Sequence, residues 1–221
     1  MFTQTTVDEE GWPIRDPDST TYVAAIQTAE EFGFRIYTEA WNRGWEWATM
    51  KIVIGDGAVW IWNLADQHFP GAIQIVDLYH ARQHLWNVAA LLYPHDLAAK
   101  KLWVIPMQGL LDDGNIESLV TRLREIAAEH ADVHPGLMAE FLKEADYFET
   151  NASRMRYPEF RQKGLFVGSG VIEAGCKSVI GSRLKQSGMF WTVRGANAII
   201  ALRCCRINGR FEDYWEQDQV A

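Results

Sequence analysis

Two short runs of β-branched residues stand out in the pattern of apolar and polar positions, Lys51–Asp56 (KIVIGD) and Ala72–Asp77 (AIQIVD). Each reads as a buried strand that ends on an aspartate. The 15 residues between them, GAVWIWNLADQHFPG, are about the minimum for a crossover helix joining parallel neighbours, so a right-handed βαβ unit is expected. Asp56 and Asp77 then share one sheet edge, at the carboxyl ends of strands where α/β sheets bind ligands and metals.

Upstream, residues 2–7 (FTQTTV) pattern as a strand before a turn dense in Gly, Pro and Asp. A strand so near Met1 leaves no room for partner strands on its N-terminal side, so the chain is expected to begin in the middle of a sheet. Ser19 or Thr20 is expected to cap a helix over about 21–32, and a second helix covers about 36–48. From 78 to about 165 helical spacing takes over, with helices predicted near 78–93, 96–110, 115–130 and 136–150. Breaks at Tyr93-Pro94, Asp113-Gly114, His134-Pro135 and Tyr157-Pro158 separate them. Gly168–Glu173 (GSGVIE) then opens another helix, with Ser169 as N-cap, Glu173 in the first turn, and Ile172, Cys176, Val179 and Ile180 as its apolar stripe. A last helix covers about 193–206, and the acidic tail FEDYWEQDQVA is expected to fray.

Composition narrows the classes. With 221 residues, 48% of them hydrophobic, the chain can bury one sizeable core or a core with a helical annex. No apolar run approaches the roughly 20 residues that span a bilayer, and the start lacks a basic and apolar leader, so no membrane association and a cytoplasmic location are expected. The three cysteines, Cys176, Cys204 and Cys205, have no CxxC spacing and indicate neither a zinc site nor a disulfide framework. GDGA and GSGVIEAG lack the Walker lysine and the dinucleotide fingerprint, and no GxSxG or HExxH occurs.

The net charge of −8 argues against a nucleic-acid partner until its distribution is counted. Residues 151–210 hold 11 Lys/Arg against two acids, Glu159 and Glu173, whereas the rest holds 10 against 27. Such polarity lets one face attract a phosphate backbone while the remainder keeps the protein soluble. Arg154, Arg156, Lys177, Arg183, Lys185 and Arg194 are the candidate DNA contacts. A solvated helix surface is the plainer alternative. Trp191, beside Arg194, is the tryptophan placed to stack on a splayed base, and most of the others read as packing.

Two-metal phosphoryl transfer needs carboxylates that hold hard divalent ions on rigid elements. Asp56 at a strand end and Glu173 in a first helical turn suit that task. Each also has an ordinary reading: Asp56 as a turn residue, and Glu173 as a dipole-favoured residue paired with Lys177 four positions on. Asp77 and His80, about one helical turn apart, read as a pair that braces the site, with His84 as the other candidate partner.

The phrases IGDGAVWIWNLADQHFPGAIQIVDLYHARQHLW, YFETNASRMRY and GLFVGSGVIEAGCKSVIGSRLKQSGMFWTVRGANAIIALRC resemble the ISKra-type insertion-sequence transposases of bacteria, related in layout to Mutator-like transposases. The likeness covers nearly the whole chain. It implies an α/β, RNase H-like core interrupted by an all-helical insertion, and DDE-type DNA strand cleavage and joining with Mg²⁺ or Mn²⁺. Carried over by position, the second acid falls on Asp56, with Asp77 as the alternative alignment. The [C/D]xxH signature falls on Asp77 and His80, and the last acid on Glu173. No residue here matches the family's first aspartate, so the chain is expected to be an N-terminally truncated member, to bind metal poorly and to be inactive alone. The division implied is 1–84 for the N-terminal part of the core, 85–165 for the insertion and 166–221 for C-terminal helices with a basic face. Double-stranded DNA, as transposon ends and target, is the implied partner, with a homo-oligomer allowed and a bacterial, nucleoid-associated location. Two rivals stay open: a catalytically inactive DNA-binding remnant or regulator of a mobile element, and a helical protein-interaction module.

Overall fold

The computed structural model describes residues 1–7, 9, 13–130, 135–168 and 170–213. In chain order the elements are β1 (Thr5–Val7), β2 (Pro13–Arg15), α1 (Ala29–Asn42), β3 (Ile52–Gly55), α2 (Val59–His68), β4 (Ile73–Val76), α3 (Leu78–Leu92), α4 (Leu97–Asp112), α5 (Ile116–Glu129) and α6 (Pro135–Thr150), followed by α7 (Tyr157–Gln162), α8 (Gly170–Gly175), a π-helical stretch (Cys176–Gly181), α9 (Ser182–Leu184) and α10 (Val193–Ile207). The chain is mixed α/β with helix dominant. It divides into two compact units: Met1–Lys51, Asp66–Gly71 and Gly170–Ala221 form the first, Ile52–Ala65 and Ala72–Ser169 the second.

The second unit holds the expected parallel pair. β3 and β4 run in register from Ile52↔Ile73 to Gly55↔Val76, and α2 supplies the crossover. The Asp77 amide donates to Gly55 O at 2.7 Å and the Leu78 amide to Val167 O at 2.8 Å, so the end of β4 is tied on two sides. Four helices follow within one or two residues of their predicted bounds. Asp77 caps α3 and Asp96 caps α4, each accepting an amide three residues on at 2.9 Å. Gly114, at φ 71°, turns the chain between α4 and α5. Their apolar stripes converge on one core of Ile75, Leu85, Leu111, Ile116, Leu119, Leu123, Phe141, Phe148, Met155 and Tyr157, all fully buried. The helical stretch expected over 85–165 lies wholly in this unit.

The first unit departs from the periodicity in three places. β1 pairs antiparallel with β2, Thr5↔Arg15 to Val7↔Pro13, in a two-stranded sheet of its own, so the expectation that this strand belongs in the middle of a larger sheet is not met among the described residues. The helix expected over 21–32 is non-helical up to Thr28. Its backbone groups are taken by asparagines of the last helical segment: Asn208 accepts from the Tyr22 amide at 2.8 Å and donates to Tyr22 O at 2.9 Å, and Asn197 does the same for Ile26 at 2.7 and 2.9 Å. Ser19 bonds back to Asp16 O at 3.0 Å rather than capping. Helix α1 starts later, at the Thr28/Glu31 capping box, and runs through the predicted break to end before Gly44, φ 76°.

The third departure lies after Glu173. The stripe Ile172, Cys176, Val179, Ile180 assumes 3.6 residues per turn, but Cys176–Gly181 is π-helical, and the wider turn rotates successive side chains off that line. Val179 is buried with Ile200 and Cys204, while Ile172 and Cys176 are exposed. Gly175 is needed where it stands: a Cβ there would meet the Tyr22 ring at 2.5 Å. The N-cap expected at Ser169, the break at His134 and the tail from residue 214 lie outside the described residues.

Candidate functional site

In the second unit Asp56 and Asp77 follow directly on the paired residues Gly55 and Val76, so both stand at the carboxyl edge of the parallel pair. The loop carrying Asp56 is pinned from several directions. One Asp56 carboxylate oxygen accepts the Ala58 amide at 2.9 Å, the Tyr147 hydroxyl donates to Asp56 O at 2.8 Å, and Asn151 donates to Gly57 O at 3.5 Å. Gly57, at φ 98°, admits the Tyr147 ring where a Cβ would lie 2.6 Å from it. Asp77 is buried and its carboxylate accepts the His80 amide at 2.9 Å; the His80 side chain is exposed. The expected link between Asp77 and His80 is therefore made through the His80 backbone.

His84, one turn on, is the more engaged imidazole. Its Nδ1 lies 2.6 Å from a Glu144 carboxylate oxygen, and its ring stacks on Tyr147 at 3.7 Å between centroids. Burial pushes the Tyr147 phenol well above its ordinary pKa, and the negative charges of Asp56, Glu144 and Asp77 add to the push. Tyr147 therefore stays a hydrogen-bond donor across the physiological range. Glu144 and Tyr147 were not singled out from the sequence. The available signal was a carboxylate on the buried stripe Phe141, Glu144, Ala145, Phe148 of α6, where an unpaired charge would be costly.

Glu173 lies in α8 of the first unit and is exposed. Neither it nor Lys177 forms an ion pair among the described residues, because the π-helical turn displaces the i,i+4 partner. Among the described residues no group of three or more His, Cys, Asp or Glu side chains is arranged to hold a metal ion. The carboxylates themselves are hard oxygen donors that suit Mg²⁺ or Mn²⁺.

The basic candidates separate by unit. Arg154 donates to Gln74 Oε1 at 2.7 Å and lies 4.8 Å over the Trp62 ring; Arg156 is bound to Gly114 O at 2.7 Å and paired with the Glu117 carboxylate. Both brace the second unit. In the first unit Lys177, Arg183, Lys185 and Arg194 are exposed, and no acidic residue occurs from Ala174 to Phe211. Trp191 is half-buried, with the Arg183 guanidinium 6.0 Å from its ring. Its neighbour Phe190 is 97% exposed.

No protein-family model, curated protein or solved structure matches this chain.

The chemistry open to the molecule is therefore argued from these side chains. Among the described residues no helix is long and apolar enough to cross a membrane. What the two units offer is a rigid carboxylate edge in one and a cationic, acid-free surface in the other.

Proposed function

We propose that the chain binds duplex DNA through the first unit, as a component of the DDE transposase class that its sequence resembles. In that reading β3, α2 and β4 belong to an RNase H-like core. Asp56 and Glu173 are its carboxylate ligands for Mg²⁺ or Mn²⁺, with Asp77 held as the alternative to Asp56. Asp77 and the His84–Glu144–Tyr147 cluster keep the Asp56 loop in place. When bound, such ions activate the attacking oxygen and stabilise the leaving oxygen of a phosphodiester. The observation that carries the reading is the acid-free run from Ala174 to Phe211, with Lys177, Arg183, Lys185 and Arg194 exposed and unpaired with any carboxylate among the described residues.

Fluorescence anisotropy with a labelled duplex at several salt concentrations tests it. The wild-type chain should bind with an affinity that falls steeply as salt rises. Replacing Lys177, Arg183, Lys185 and Arg194 together by alanine should weaken binding at low salt and flatten the log K against log salt slope by about 3. Salt-insensitive binding, or none, would sink the proposal and favour a protein-interaction module. Incubation with supercoiled plasmid and Mg²⁺ separates binding from catalysis. No nicking is expected where no three carboxylates are grouped, and Mg²⁺-dependent nicking abolished by Asp56→Ala would make the isolated chain an enzyme.

A further inference from the structure

Phe190 is the most exposed large apolar side chain described, at 97%, and water offers nothing to hold a phenyl ring there. It stands between Lys185 and Arg194, just before Thr192, which caps the 15-residue helix α10 by accepting the Gly195 amide at 3.1 Å. The start of that helix adds partial positive charge next to the ring. Trp191, the more obvious aromatic, is half-buried beside Arg183 and so cannot present its face as Phe190 does. An apolar ring flanked by cations in an acid-free run is matched by a partner that is polyanionic outside and apolar between its stacked layers. Duplex nucleic acid has both properties, and apolar wedges that enter a base step and unstack it are a known way to use them.

We propose that Phe190 is a wedge that enters a base step of bound DNA while Lys185 and Arg194 contact the flanking phosphates. The inference rests on the DNA-binding reading above and adds to it a preference for weakened stacking. Opening a step costs least where a mismatch has already loosened it, so the wedge predicts a ranking of duplexes that simple phosphate attraction does not.

The test is anisotropy with the full chain on two duplexes of equal length, one perfectly paired and one carrying a single central mismatch. Wild type should bind the mismatched duplex about ten-fold more tightly, the scale of one stacked base. Phe190→Ala should bind both duplexes equally, with an unchanged salt slope, and Phe190→Leu should retain part of the preference. Because the ring is almost wholly exposed, circular dichroism should show all three proteins equally folded. Equal binding of both duplexes by wild type, or an undiminished preference in Phe190→Ala, would overturn the wedge and leave the phosphate-binding reading standing. Absence of any salt-dependent binding by wild type would remove that reading and the wedge with it.

Discussion

The two units solve the same problem, keeping a charged chain folded, in opposite ways. In the second, charges are consumed internally: Arg82 meets Asp112 at 2.5 Å, His84 meets Glu144 at 2.6 Å, Arg124 meets Glu149 at 2.6 Å, and Arg156 grips Glu117. They surround a core of large, fully buried side chains. In the first, a small core of Val179, Ile200 and Cys204 is supplemented by polar fastenings, the asparagine clamps on Tyr22 and Ile26 and the Glu39–Arg210 pair, while several cations are left to solvent. A region whose charges are all answered from within is built for rigidity. One that leaves four cations and a phenyl ring outward is built to be completed by something else.

The sharpest way to break this contrast is to damage the large core alone. Phe148 is fully buried in α6, and Phe148→Ala should destabilise the second unit by about 3–5 kcal/mol through lost burial and the cavity left behind. Hydrogen exchange should then accelerate at the amides of α3, α5 and α6, whereas the clamped Tyr22 and Ile26 amides keep their protection. Loss of protection at Tyr22 and Ile26 in step with α5 would show that the division into differently stabilised regions is wrong.

A smaller effect is expected from the polar fastening of the first unit. Glu39 is buried and accepts hydrogen bonds from Thr21 at 2.7 Å and from both Arg210 terminal nitrogens at 2.9 Å. Burial alone would raise its pKa, but the bonds from Arg210 and Thr21 outweigh it and hold the carboxyl below its ordinary value. A depressed folded pKa means that the stabilisation is complete above the unfolded carboxyl pKa and is lost as pH falls through the folded one. Glu39→Ala should cost about 2 kcal/mol at pH 7, less than a fully buried pair because Arg210 retains contact with water. Urea titrations at pH 7 and pH 3 check the sign. The gap between wild type and variant should narrow at the lower pH, and a gap that widens would refute the assignment.

What could be read in advance follows from where each element finds its partners. β3, β4 and helices α3 to α6 carry their own signals, β-branched runs ending on aspartate and apolar stripes bounded by Asp77, Asp96 and Gly114, and they form within one or two residues of expectation. The stretch before Thr28 carries apolar residues at helical spacing too, yet its backbone is claimed by Asn208 and Asn197, 186 and 171 positions away, and no local pattern announces such a partner. The π-helical turn after Glu173 is likewise invisible to a 3.6-residue stripe. At the candidate site Asp56 and Asp77 were legible as strand-ending carboxylates. Glu144 and Tyr147, which reach them from another helix, were not, and neither was the inversion of exposure between Trp191 and Phe190.

The finest test concerns whether the answered charges of the second unit stabilise it or only decorate it. Glu117 is the most exposed partner in that set, at 69% of its side chain. The hydrogen bond from Arg156 nevertheless lowers its carboxyl pKa to about 2. An exposed carboxylate shares its partner with water and salt, so Glu117→Gln should cost only about 0.5 kcal/mol at pH 7. Arg156 keeps its bond to Gly114 O at 2.7 Å in the variant, which limits the loss further. The contribution should be full above the unfolded glutamate pKa and should vanish as pH falls towards 2, and it should shrink in 1 M salt. A loss above 2 kcal/mol that salt leaves unchanged would mean that this pair belongs with the buried fastenings such as Glu39–Arg210, and that the two units differ in core size but not in how they use charge.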